Sequence, residues 1–149
     1  MSGNKQPISV LVVIHTRELD VLLLERAPHP GLWQSVTGSR EADESLSATA
    51  RREVAEETGI APDCGILADW HIANTYTIFP AWRHRYPDGV SENVEHVFGL
   101  CLPSRMPITP APNEHRDWLW LPCQEAADRC FSWSNRDAIR LLPKVLSRT

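Results

Sequence analysis

The stretch GSREADESLSATARREVAEETGI, residues 38–60, decides the reading of the whole chain. Its central part, Ser45 to Thr58, carries Ala, Glu, Arg and Leu with neither Gly nor Pro, and Gly59 follows where a left-handed C-cap belongs, so a helix is predicted there. Near its end Glu53, Glu56 and Glu57 place three carboxylates within five residues. At about 100° per residue, Glu57 lies about 40° from Glu53 and Glu56 about 60° to the other side, so all three fit an arc of about 100°. Like charges at this spacing repel, and the C-terminal end of a helix disfavours anions further. A hard divalent cation offsets both effects, because Mg²⁺ takes carboxylate and water oxygens and keeps positions open for phosphate. Arg52 can neutralise part of the field and hold a glutamate in place. The competing account is a solvated acidic face paired to nearby Lys and Arg.

Outward from this helix, the chain has the composition of one compact domain spanning 1–149: 149 residues that are 42% hydrophobic and 23% charged are enough to bury a core and exclude a disordered chain. A net charge of −4 offers no continuous positive surface for a nucleic-acid polymer or an anionic membrane. The longest clean apolar run, Val10 to Ile14, is far shorter than a membrane span, and no apolar signal core is seen. Cys64, Cys101, Cys123 and Cys130 contain no Cys-x-x-Cys pair and read as reduced, mostly buried thiols of a cytoplasmic protein. Ile8 to Ile14 and Val21 to Leu24 are predicted to form a hairpin of buried strands, followed by a short strand over Trp33 to Thr37. Further strands are expected at Asp69 to Phe79, Val94 to Leu102 and Trp118 to Leu121, with Pro103 to Pro112 as a long surface loop. A last helix is expected after Ser134, capped by that residue. Interleaved strands and helices make an α/β or α+β domain with a mixed sheet.

The fixed positions of residues 38–60, namely Gly38, Glu44, Arg52, Glu53, Val54, Glu56, Glu57, Gly59 and Ile60, resemble the Nudix box at every point. Resemblance to the Nudix hydrolase family implies an α/β/α sandwich with a mixed β-sheet, in which a loop-helix-loop binds the divalent metal that positions a diphosphate for attack by water. It implies Glu53 and Glu57 as principal metal ligands, with Glu56 a further one. Gly38 suits a close, unusual backbone and Gly59 the helix stop. Glu44 is assigned to structure near the helix N-terminus.

Outside the box, Trp33 to Ser39, Arg83-His84-Arg85-Tyr86 with Gly89-Val90, Asn93 to Phe98 and Ser132 to Arg136 look like the subfamily of dihydroneopterin triphosphate diphosphatases. Those enzymes release pyrophosphate from 7,8-dihydroneopterin triphosphate on the way to folate. Carried over by matching segments, the substrate contacts would be Lys5, Arg26, Thr37, the stretch Tyr76, Thr77, Ile78 and Phe79, and Ser132. Glu114 would join Glu53 and Glu57 at the metal. A planar pterin needs aromatic faces, for which Trp33, Tyr76, Phe79, Trp82 and Trp133 are candidates. Arg26 can offer phosphate a bidentate fork. Without the resemblance Lys5 reads as a surface lysine, Arg83 to Arg85 as a solvated hairpin end, and His115 as a satisfied or exposed histidine that rivals Glu114 as the base.

The expected activity is that of a Mg²⁺-dependent pyrophosphohydrolase, with Mn²⁺ as a substitute, acting on a small pterin triphosphate; Glu53, Glu56, Glu57, Arg52 and Glu114 form its catalytic set. Two alternatives stay open: a Nudix hydrolase of nucleoside triphosphates or dinucleoside polyphosphates, and a non-catalytic metabolite-binding module.

Overall fold

The computed structural model describes residues 3–147. Strands β1 (Ile8–Thr16), β2 (Asp20–Arg26), β3 (Trp33–Gln34) and β4 (Val36–Ser39) precede helix α1 (Leu46–Thr58). Then come β5 (Ile66–Thr77), β6 (Glu92–Leu102), β7 (His115–Pro122), α2 (Cys123–Arg129) and α3 (Trp133–Ser147). Short 3-10 turns at Pro62–Cys64 and Pro80–Arg85 flank β5. All seven strands join one mixed sheet, in the order β3-β2-β1-β6-β5, with β4 paired to β1 and β7 to β2. β1 and β6 run parallel over nine residue pairs, and the other pairings are antiparallel.

β1 explains the layering. Val10, Val12 and Ile14 face α1, where they pack with Ala50, Val54 and Phe98. Leu11 and Val13 face the other way, onto Ala126 and Ala127 of α2 and Ile139 and Leu142 of α3. A strand covered on both faces needs an unbroken apolar run, which is what its sequence shows. The expected α/β/α sandwich is therefore the observed one.

Helix α1 starts and stops as its sequence dictates. Ser45 caps it by accepting from the Ala48 N–H at 3.1 Å, and Gly59, at φ 72°, donates its N–H to the Ala55 carbonyl. Three expectations are corrected. The strand foreseen over Trp33 to Thr37 is two strands, because the Ser35 N–H leaves the ladder for Asn135 Oδ1 at 2.8 Å while the Ser35 Oγ accepts from Asn135 Nδ2. α3 is capped by Ser132, whose Oγ accepts from the Asn135 N–H, and Ser134 is buried inside the first turn. The cysteines are less buried than expected: Cys123 and Cys130 are covered, Cys101 is half-buried and Cys64 is exposed, all four as free thiols. No described helix is long and apolar enough to cross a membrane.

Candidate active site

The acidic end of α1 meets the sheet at β4. Gly38 pairs with Val10 and so faces α1, and a Cβ there would collide with the Glu53 carboxyl; the glycine is required for this approach. Arg52 organises the other side. Its Nε and Nη2 form a fork on Glu44 at 2.8 and 3.0 Å, Nη1 donates to Glu53 Oε1 at 2.8 Å and to Glu56 at 3.3 Å, and Nη2 also reaches the Ser39 carbonyl. The guanidinium hydrogen bonds hold the Glu44 carboxyl down at about 2. Glu44 is thus the anchor of Arg52, in keeping with its structural assignment, and Arg52 aims Glu53.

Glu53 and Glu57 are buried. Burial pushes both carboxyls well above the ordinary range, and their mutual contact raises Glu53 further. Glu57 Oε1 is hydrogen-bonded to Nε2 of His115 at 2.8 Å, while the buried Oε2 has no partner among the described residues. Glu114 arrives from the loop after β6, which is tied to the end of α1 by the Thr109 N–H on the Thr58 carbonyl and the Ala111 N–H on that of Glu57. One ligand atom from each of Glu57, Glu114 and His115 lies within 4.8 Å of the others. Hard carboxylate oxygens, one of them buried and unpartnered, suit a divalent cation. Glu56 is exposed and paired with Arg52, and it lines neither of the two cavities described below.

A cavity of about 820 Å³ opens over these acids, lined also by Lys5, Arg26, Thr37, Tyr76, Trp82 and Arg85. Lys5, which looked like a surface residue, is drawn in because the Gly3 and Lys5 N–H groups bond the Tyr86 and Arg85 carbonyls. Its ammonium lies 5.6 Å from the Tyr86 ring centre, and burial lowers its pKa. Trp82 stacks Arg26 at 4.9 Å and Arg85 at 5.9 Å. Arg26 also donates to Gln34 at 3.1 Å. Of Arg83 to Arg85, the first two stay on the surface as expected, and Arg85 faces the cavity.

A second cavity of about 500 Å³ shares Arg26, Gln34, Thr37, Tyr76 and Trp82 with the first. Its remaining wall brings Thr77 and Phe79 opposite Ser132 and Trp133. Phe79 and Trp133 are 54% and 48% exposed, an unusual placement for large apolar groups and one that leaves two aromatic faces at the mouth. Two expected lining residues are not there. Ile78 is buried under the strand end, its N–H on the Ser91 carbonyl, and lines neither cavity; Trp33 packs into the core beneath α2 and α3. Sequence reasoning undervalued His115, Arg85 and the buried Glu95, because nothing local marks them.

The NUDIX domain family matches residues 5–142. The dihydroneopterin triphosphate diphosphatase of Escherichia coli K12 is 42% identical over 138 residues, 91% of each chain. That of Haemophilus influenzae is 38% identical over 143 residues, 94% of this chain and 89% of the relative. The solved E. coli dihydroneopterin triphosphate pyrophosphohydrolase superposes with a TM-score of 0.87 at 38% identity, covering 99% of this chain and 100% of that one.

Proposed function

The chain belongs to the Nudix hydrolase family, and from that premise we propose that it hydrolyses 7,8-dihydroneopterin triphosphate to the monophosphate and pyrophosphate. The observation that carries this reading is the pair of joined cavities, one acidic and cationic, the other walled by aromatic rings, in a chain 42% identical to an enzyme of that name. The triphosphate belongs in the first and the pterin in the second.

Glu53, Glu57 and Glu114, with Glu56 as a further carboxylate of the same helix as the first two, would hold Mg²⁺, or Mn²⁺ in its place. When bound, the cation would neutralise phosphate charge and make a bound water more acidic. Around it this chain's own groups have separate tasks. Lys5, Arg26 and Arg85 balance the charges of the polyphosphate, and stacking on Trp82 keeps both guanidinium groups oriented before substrate arrives. Arg52 fixes the direction of Glu53. Glu114, exposed to the cavity, accepts the proton of the attacking water, and His115 holds the neighbouring Glu57 in place through its 2.8 Å bond. Thr37 stands where the two cavities meet, while Tyr76, Thr77, Phe79 and Ser132 contact the pterin. Residues 1–149 act as one domain, and the free thiols suit a cytoplasmic location.

The test is product analysis with dihydroneopterin triphosphate beside the common nucleoside triphosphates in fixed Mg²⁺. Pyrophosphate and the monophosphate should be released fastest from the pterin substrate. Preference for a nucleotide would overturn the reading.

A further inference from the structure

Glu95 has no task in the chemistry above, yet its position is an expensive one. It lies on β6, is 4% exposed, and lines the second cavity. None of the ion pairs among the described residues involves it, and its buried Oε1 has no hydrogen-bond partner among them. A buried carboxyl without a cation or a full set of donors is costly to the fold. The hydroxyl of Ser134, in the first turn of α3, is its one hydrogen-bonding side chain, and burial still pushes the carboxyl up to about 7. The unused acceptor therefore looks for donors from whatever fills the cavity.

We infer that Glu95 is a specificity-determining residue whose carboxylate accepts from two adjacent N–H groups of a 2-amino-4-oxopyrimidine edge, the ring N–H and the exocyclic amine. This rests on the pterin reading above and names the edge by which the ring would be recognised. Two parallel donors match the two oxygens of one carboxylate, as in a guanidinium fork. The walls agree. Phe79 and Trp133 offer ring faces, and Ser132 and Asn135 stand beside Glu95 on the helix side. Arg26, Thr37 and Tyr76 are common to both cavities, so a ligand edge held at Glu95 leaves its polyphosphate free to run toward Glu57. Adenine, which has no such pair of donors, would leave the carboxylate unpaired.

The test uses Glu95→Gln, which keeps the volume, removes one acceptor and sets an amide NH₂ against one of the two ligand donors. It should lower kcat/KM for dihydroneopterin triphosphate by about 30-fold or more and for ATP by less than about 3-fold. Equal losses on both substrates, or none on the first, would overturn the assignment. A second measurement needs neither metal nor turnover: titration of the wild type by fluorescence with neopterin and with the matching lumazine, in which a carbonyl replaces the 2-amino group. The wild type should prefer neopterin by about 10-fold or more and the variant should lose that preference. A wild type that binds the two alike overturns the inference even if the variant does not fold. If dihydroneopterin triphosphate is no substrate, the neopterin comparison still judges Glu95 alone.

Discussion

The two cavities are built in opposite ways. The acidic one takes Glu53 and Glu57 from successive turns of a single helix, with Arg52 beside them aiming Glu53, and Gly38 shortly before the helix supplies the clearance. The aromatic one is assembled from β5, β6, the turn after β5 and the start of α3, parts that touch only when the sheet is complete. Chemistry common to many substrates can be carried by a short rigid motif, whereas selection among substrates draws on side chains gathered from the whole fold. The difference predicts that damage to the first cavity affects every substrate and damage to the second only one.

The sharpest break should come from Glu57→Gln. Turnover should fall by at least about 100-fold on pterin and nucleotide substrates alike, because a metal-binding charge is lost. Stability should barely change, since the amide oxygen can still face His115 and like-charge repulsion is relieved. Pyrophosphate release at saturating Mg²⁺ and a thermal melt measure the two, and wild-type turnover would remove Glu57 from the ligand set.

A pH experiment probes the other cavity. Glu95 titrates near 7 in the folded chain, above the ordinary glutamate range, so the folded state keeps a proton that the unfolded state has lost. Its stabilising contribution is complete below about pH 4.5 and is lost as pH rises to about 7, a change of about 3 kcal/mol. Glu53 and Glu57 shift in the same direction, so the informative quantity is the difference between wild type and Glu95→Gln in denaturant melts without metal. The variant should gain on the wild type over that window. A difference independent of pH would mean that Glu95 is ionised and satisfied in the fold.

Arg26→Ala sits at the junction. It should reduce kcat/KM about 30-fold for both substrates, as removal of a phosphate-binding guanidinium requires. A loss confined to the pterin would move Arg26 into the second cavity's account. The smallest effect is expected of Phe79→Ala, which should lower kcat/KM for the pterin substrate by about 1 to 2 kcal/mol more than for a nucleoside triphosphate. Equal losses would show that the exposed ring belongs to both.

How much could be read beforehand follows the same division. Helix α1, its capping Gly59 and its carboxylate face were legible because each depends on neighbours within about one turn. Lys5, Arg26, Thr37, Tyr76, Thr77, Phe79 and Ser132 entered through resemblance, and the fold does bring them to the cavity walls. Ile78 did not follow: just past the end of β5 it is buried in the fold, with its N–H on the Ser91 carbonyl. His115 looked like an ordinary histidine and proved to be buried against Glu57, 58 residues away in the chain.

By itself the sequence determined the two-sided burial of β1, read from its unbroken apolar run, the helix that follows Gly38, and the acidic arc on that helix, all of which are short-range consequences of residue type and spacing. Tertiary structure alone decided that Ser35 would divide a strand, since its partner Asn135 is 100 residues distant. It also decided that a carboxyl on β6 would line a cavity beside α3 with one oxygen left without a hydrogen-bond partner among the described residues. Such contacts depend on how a covered sheet closes, and their free energies depend on burial that no single segment carries.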